Sequence, residues 1–134
     1  MQRTRNRIRR SGLSRDREPL IAIVRQQQPM AGFAEVLIEF LPSNKGGRRT
    51  PVWLSTAGPG CYRPHFRVCD GDGEYLGVEF VDGPDDPVAP GGSADATVRF
   101  LYEPEVSYDS LVVGAQFEVM EGARAVGTGR VTRR

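Results

Sequence analysis

The chain has 134 residues, room for one ordinary domain, and its content of 26% charged and 39% hydrophobic residues is typical of a globular protein. No apolar run approaches the roughly 18 to 20 residues that a membrane-spanning helix needs, and no signal-peptide core is present, so we expect a cytoplasmic protein without a membrane anchor. Two cysteines exclude a disulfide-based scaffold, while 16 Gly and 10 Pro leave little uninterrupted length for helices.

The first 18 residues are strongly basic. They contain seven Arg against Asp16 and Glu18, a net charge of +5, whereas the remaining residues sum to −4. We interpret residues 1–18 as an arm and residues 19–30 as a linker or short extra strand, with an apolar run at residues 20–24. A basic arm on an acidic body favours an anionic partner, most simply nucleic acid. The alternatives are a solvated tail, a misplaced start codon or a transit peptide. The ratio of 17 Arg to one Lys is typical of a GC-rich bacterial genome, which argues against the transit peptide.

From residue 31 onward, apolar and polar residues alternate with period 2, the pattern of strands that bury one face. The clearest case has Ala34, Val36, Ile38 and Phe40 on the apolar face. The strands are predicted at residues 33–41, 62–68, 76–80, 95–102, 116–119 and 124–131, with residues 51–54 as a short extra strand. Residues 70–73 (D-G-D-G) predict a hairpin turn. Short strands separated by Pro, Gly and Asp loops indicate an all-β sandwich or closed barrel.

No residues form a convincing catalytic or metal site. Cys61, His65 and Cys69 are spaced by four, but four residues of a strand span about 13 Å, whereas zinc ligands all lie about 2.0 to 2.3 Å from one ion. Residues 70–81 lack the glycine and the glutamate that a calcium loop requires at positions six and twelve. His65, the only histidine, has no nucleophile motif around it. We therefore expect no enzyme activity, no metal and no cofactor.

The loop Gly46-Gly47-Arg48-Arg49-Thr50 contains no nucleotide-binding signature, but its glycine pair and two arginines are compatible with a surface contact with backbone phosphate. A plain basic loop is the alternative.

Four segments, in order, resemble the C-terminal domain of translation elongation factor Tu. They are residues 45–51 (K-G-G-R-R-T-P), 62–66 (Y-R-P-H-F), 90–91 (P-G) and 121–131 (E-G-A-R-A-V-G-T-G-R-V). The resemblance covers about residues 31–134 and implies a six-stranded antiparallel closed β barrel. The sequence departs from the family pattern at several places. These are a small insertion at residues 55–61, a longer acidic loop at residues 82–90, and three single replacements at His65, Gly92 and Ala125.

The resemblance also implies two contact surfaces. In the family, the loop matching Glu121 and Gly122 contacts the T stem of aminoacyl-tRNA, and the segment matching residues 62–66 lies toward the GTP-binding domain. The sequence contains neither that domain nor a second barrel, so GTP hydrolysis is not implied.

These observations lead to two main hypotheses. The first is a non-catalytic binding module that contacts RNA, either tRNA or ribosomal RNA, through Arg48, Arg49, Glu121, Gly122 and Arg124. The second is a protein-interaction module that binds a translation factor or a separate GTPase domain through Tyr62, Arg63, His65 and Phe66. A degenerate gene fragment is a third interpretation, and the sequence leaves the oligomeric state open.

Overall fold

The structure, a computed structural model, describes residues 32–134; the expected arm, linker and strand at residues 20–24 lie outside that range. Six strands form: β1 Phe33–Phe40, β2 His65–Val68, β3 Tyr75–Asp82, β4 Ser93–Phe100, β5 Gln116–Glu121 and β6 Arg124–Arg133. The one helical turn in this part of the chain is a 3-10 turn at Ser43–Lys45. No helix within the described residues is long and apolar enough to cross a membrane.

The strands close into an antiparallel barrel. Their order around it is β1, β4, β3, β2, β5, β6, and β6 pairs again with β1. Closure pairs every strand on both sides, so no strand edge is left open. The predicted all-β, six-stranded antiparallel closed barrel is thereby confirmed.

Alternation decides which side chains fill the barrel. The four even-numbered apolar side chains of β1 are buried as predicted, and the predicted turn at residues 70–73 joins β2 to β3. Aromatic rings fill the centre: Phe66 stacks on Phe117 with a centroid distance of 3.9 Å and meets the edge of Phe80 at 6.0 Å. All three rings are almost completely buried. Aromatic side chains of this size supply much of the apolar area that stabilises a small core.

Two predicted strands are shorter in the structure. β2 begins only at His65, because Pro64 has no N–H to donate, although Tyr62 O still accepts a bond of 3.0 Å from Phe80 N. The extra strand predicted at residues 51–54 is reduced to one bridge, in which Val52 and Val88 exchange bonds of 3.0 and 2.8 Å.

The prediction that Tyr102 continues the buried face of β4 is wrong. β4 ends at Phe100, and Tyr102 is 48% exposed. Tyr108 fills this end of the core instead, with its ring stacked on Phe100 at 4.4 Å. Its hydroxyl donates to Gly77 O at 2.6 Å and accepts from the Tyr102 amide at 3.2 Å. The first bond is a second one for Gly77 O, which also accepts from Leu101 N at 3.1 Å, and the second satisfies the Tyr102 N–H in the turn after β4.

Candidate functional site

At one end of the barrel, the loop of residues 42–50 meets the β5–β6 hairpin turn. Glu121 and Arg124 form the last pair of that hairpin, and Gly122 takes the positive φ of 62° that its two-residue turn requires. Across from it, Gly47 packs so closely on the Leu41 carbonyl that a Cβ atom would overlap it. Gly47 N also donates to Pro42 O at 3.0 Å, so the loop folds back on the end of β1.

Three side chains bind the loop to the turn. Arg48 forms an ion pair with Glu121, and Tyr62 donates its hydroxyl hydrogen to the same Glu121 oxygen at 2.7 Å. Arg124 donates from Nη2 to the Gly47 carbonyl at 3.0 Å. The Arg48 guanidinium also lies 5.4 Å from the centre of the Tyr62 ring, a cation–π distance. Burial, together with the Glu121 carboxylate, raises the pKa of the Tyr62 phenol, so this group stays protonated and donates.

The same end of the barrel concentrates positive charge. We call Lys45, Arg48, Arg49, Arg124 and the carboxylate of Glu121 the basic patch; its net charge is +3. Lys45 and Arg49 are exposed on the same loop as Arg48, and neither forms an ion pair within residues 32–134. That range carries ten Lys and Arg against fifteen Asp and Glu, a net charge of −5. The basic patch is therefore opposite in sign to the body that carries it.

The structure brings all five predicted RNA-contact residues together. Arg48, Glu121 and Arg124 are linked directly or through the loop backbone, Gly122 forms the turn between two of them, and Arg49 follows Arg48. Arg48 also donates from Nε to Thr50 O at 3.2 Å. Arg48 thus has much of its hydrogen-bonding capacity engaged within the protein, whereas the exposed side chains of Arg49 and Lys45 form no ion pair with any residue from 32 to 134.

The four residues predicted as a protein interface do not form one surface. Tyr62 joins the basic patch, and Phe66 lies in the core, where its stacking on Phe117 leaves no accessible ring. Phe66 is therefore corrected to a packing residue: it stands at an inward position of β2, and a side chain facing the core cannot contact a partner. Arg63 and His65 remain on the outer face.

Arg63 belongs to an ion-pair network that the sequence did not predict. Glu79, on the outer face of β3, accepts from Arg63 at 3.2 Å and also pairs with Arg99 of β4. Glu79 is only 5% exposed, because the two guanidinium groups cover it. The hydrogen bond from Arg99, followed by that from Arg63, holds the pKa of Glu79 below its ordinary value.

Aromatic and basic side chains share the outer face of β2 and β3. The centres of the His65 and Tyr75 rings lie 5.8 Å apart. The guanidinium carbon of Arg67 also lies 5.8 Å from the centre of the Tyr75 ring, and the same guanidinium forms an ion pair with Glu118. Tyr102 lies across Gly77, where a Cβ atom would overlap its ring. We call Arg63, His65, Arg67, Tyr75 and Tyr102 the aromatic–arginine surface. Arg67, Tyr75 and Tyr102 were not among the residues predicted as a protein interface. The alternation of β3 could have placed Tyr75 on this outer face.

Within residues 32–134, no group of three or more His, Cys, Asp or Glu side chains is arranged to hold a metal ion. Cys61 and Cys69 are free and exposed. No protein-family model matches the chain.

Proposed function

We propose that the chain is a non-catalytic RNA-binding module that acts in translation, with tRNA or ribosomal RNA as its target. The observation that carries the proposal is the basic patch, with a net charge of +3 on a body of −5. Nucleic-acid affinity derives largely from lysines and arginines that neutralise phosphates and release counterions. A local positive surface on an acidic body also orients the protein, since the rest of the barrel repels the same phosphates.

The distribution of the cations in the basic patch favours a ligand that carries several phosphates. Its cations come from two separate chain segments, the loop at residues 42–50 and the β5–β6 turn. The Arg48–Glu121 ion pair and the Arg124 bond to Gly47 hold the backbone of both segments in place, so neither the loop nor the turn has to be ordered on binding. Residues 1–18 add a further charge of +5. The assignment to translation rests on the resemblance of four segments to the elongation factor Tu C-terminal domain.

The test is the salt dependence of binding to fluorescently labelled tRNA, measured by anisotropy on the full chain and on the chain without residues 1–18. Three phosphate contacts by the patch predict about a 20-fold loss of affinity between about 50 and 200 mM salt. Substitution Arg49→Gln should weaken binding and lower the salt slope by about 1, because it removes one such contact.

Arg130→Gln is the matched control. Arg130 is an exposed arginine of β6 that, like Arg49, forms no ion pair within residues 32–134, and it lies six residues, about 20 Å, along the strand from Arg124. Substitution of Arg130 should leave the salt dependence of tRNA affinity unchanged. Binding that is flat in salt, or equal losses in the two variants, would be incompatible with the basic patch as the RNA site.

A second candidate function is a protein-interaction module, and the aromatic–arginine surface favours it. Tyr and Arg are the residues that most often carry binding energy in protein interfaces. Tyr75 and Tyr102 expose 38% and 48% of their surface beside Arg67 and His65. The partner would be a translation factor or a separate GTPase domain. Affinity capture from lysate separates the two functions: a partner protein that is retained after nuclease treatment and after removal of residues 1–18 supports this candidate.

A further inference from the structure

A cavity of about 260 Å³ opens beside the basic patch. Aromatic, proline and cationic side chains form its wall, and no carboxylate from the described part of the chain lines it. The main lining residues are Arg48, Pro51, Trp53, Pro59, Cys61 and Tyr62. Two of these, Arg48 and Tyr62, are also the residues that fix the loop to Glu121. The cavity and the patch therefore share their supporting side chains.

The tryptophan in this wall is held rigidly. Gly58 packs against the Trp53 indole so closely that a Cβ atom would overlap the ring. Residues 55–61, the insertion relative to the family pattern, fold back over the indole, with Gly58 N bonded to Ser55 O at 3.2 Å and Thr56 N to Val81 O at 3.4 Å. Trp53 is left half-buried, so part of its ring lines the cavity while the rest is covered.

Tyr62, a second residue of the wall, is equally fixed. The Tyr62 ring stacks on Phe80 at 5.4 Å, its hydroxyl is bonded to Glu121, and the Arg48 guanidinium lies over the ring. Thr50 O accepts a further bond from Arg48. Phe80 and Arg48 already cover the Tyr62 ring, so a flat ligand in the cavity would meet the exposed part of the Trp53 indole and the Arg48 guanidinium.

We infer that this cavity binds an unpaired nucleobase, so that the module reads single-stranded RNA rather than a continuous duplex. Proteins that bind single strands combine aromatic rings, on which bases stack, with cations along the backbone. Both are present here, because Arg48 lines the cavity and the exposed Arg49 lies between two lining residues in the chain. A base in a duplex is already stacked and paired and could not enter. The inference rests on the proposed function and specifies its ligand.

The chain supplies two internal reporters. Trp53 is its only tryptophan, so the intrinsic tryptophan emission comes from the cavity wall. Of the two exposed cysteines, Cys61 lines this cavity, whereas Cys69 lies beyond β2 beside a different hollow. A base in the cavity should quench Trp53 emission and slow the alkylation of Cys61, while Cys69 reacts at an unchanged rate.

The experiment titrates the full chain with four probes: a short unpaired oligoribonucleotide of mixed sequence, the same strand annealed to its complement, an abasic oligonucleotide of equal length, and a proline-rich peptide. Anisotropy of the labelled probe, Trp53 emission and cysteine alkylation are read in parallel. We expect only the unpaired RNA to quench Trp53 emission and to slow the alkylation of Cys61. Trp53→Leu should weaken its binding about 5- to 140-fold, the range of one base–aromatic stack, and Trp53→Phe should retain most of the affinity.

The outcomes separate the two proposals. One outcome is that RNA binds by anisotropy, with equal affinity for wild type and Trp53→Leu, and changes neither Trp53 emission nor Cys61 alkylation. That outcome overturns the inference that the cavity binds a nucleobase, but it leaves the proposed RNA-binding function intact. No binding of any RNA at low salt overturns both. Quenching and protection by the proline-rich peptide alone would make the cavity a peptide site and also overturn the inference. The alkylation result is obtained on the wild-type protein and does not depend on how well a variant folds.

Discussion

The Tyr62 hydroxyl is expected to stabilise the basic patch by a measurable amount. Tyr62→Phe removes one oxygen and leaves the ring stacked on Phe80, so it tests the bond to Glu121 and little else. Glu121 loses one of its two partners, and the turn at Gly122 is held to the loop by the Arg48 ion pair and the Arg124 bond.

The size of the effect follows from the surroundings of the carboxylate. A hydrogen bond to a charged acceptor contributes about 1.5 to 3 kcal/mol. The Glu121 side chain is 32% exposed, so water replaces part of the lost bond, and we expect the free energy of unfolding to fall by about 1 to 2 kcal/mol. For a domain of about 100 residues this corresponds to a decrease in melting temperature of roughly 5 to 15 °C.

A double-mutant cycle isolates this bond. Urea unfolding of Tyr62→Phe, Glu121→Gln and the double variant, followed by circular dichroism, should give a coupling free energy of about 1 kcal/mol or more. Tyr75→Phe is the control, because the Tyr75 side chain is exposed and contacts His65 and Arg67 only through its ring; it should cost less than about 0.5 kcal/mol. Single-variant effects that add to within about 0.5 kcal/mol would refute the claim that Tyr62 and Glu121 act as a pair.

Two further predictions concern the barrel itself. Phe66→Ala should lower the free energy of unfolding by about 3 to 5 kcal/mol, because it empties the space between Phe117 and Phe80; a loss below about 1 kcal/mol in urea unfolding would contradict its place in the core. Glu79 has a folded pKa held below its ordinary value of 4.5 by Arg99 and Arg63, so its contribution to stability is present above about pH 4.5 and is lost as the pH falls through the folded pKa. The unfolding free energy of Glu79→Gln should therefore depend less on pH than that of the wild type below about pH 4.5, and parallel pH profiles would show that the network does not stabilise the ionised carboxylate.

Phe66 shows how two arguments from one sequence can differ. The period-2 pattern of residues 62–68 places its side chain in the core, whereas the resemblance places its segment at an interface. The alternation was correct for Phe66, because a strand with one buried face fixes side-chain direction residue by residue. The backbone around a segment can lie near a surface while every second side chain points away from it.

The outer-face network around Glu79 could not be found in the same way. The alternation of residues 76–80 gives Glu79 an outward position, but its two partners stand 16 and 20 residues away in the chain. Arg63 reaches it from the segment before β2 and Arg99 from β4, on opposite sides of β3. Alternation gives the face of each residue, and strand order decides which neighbours share that face.

What the sequence determined by itself is the kind of structure and the charge that it carries. The alternation, the glycine-rich turns and the lack of helical periodicity were sufficient for an all-β domain, because side-chain direction and turn conformation are local properties. Tertiary structure alone decided that Tyr108 rather than Tyr102 closes the core, and that Arg48 meets Glu121 and Tyr62. Arg48 and Glu121 are separated by 73 residues, and Tyr62 and Glu121 by 59. Such contacts depend on barrel closure, since only the register of all six strands brings the loop, the turn and the cavity wall to the same end.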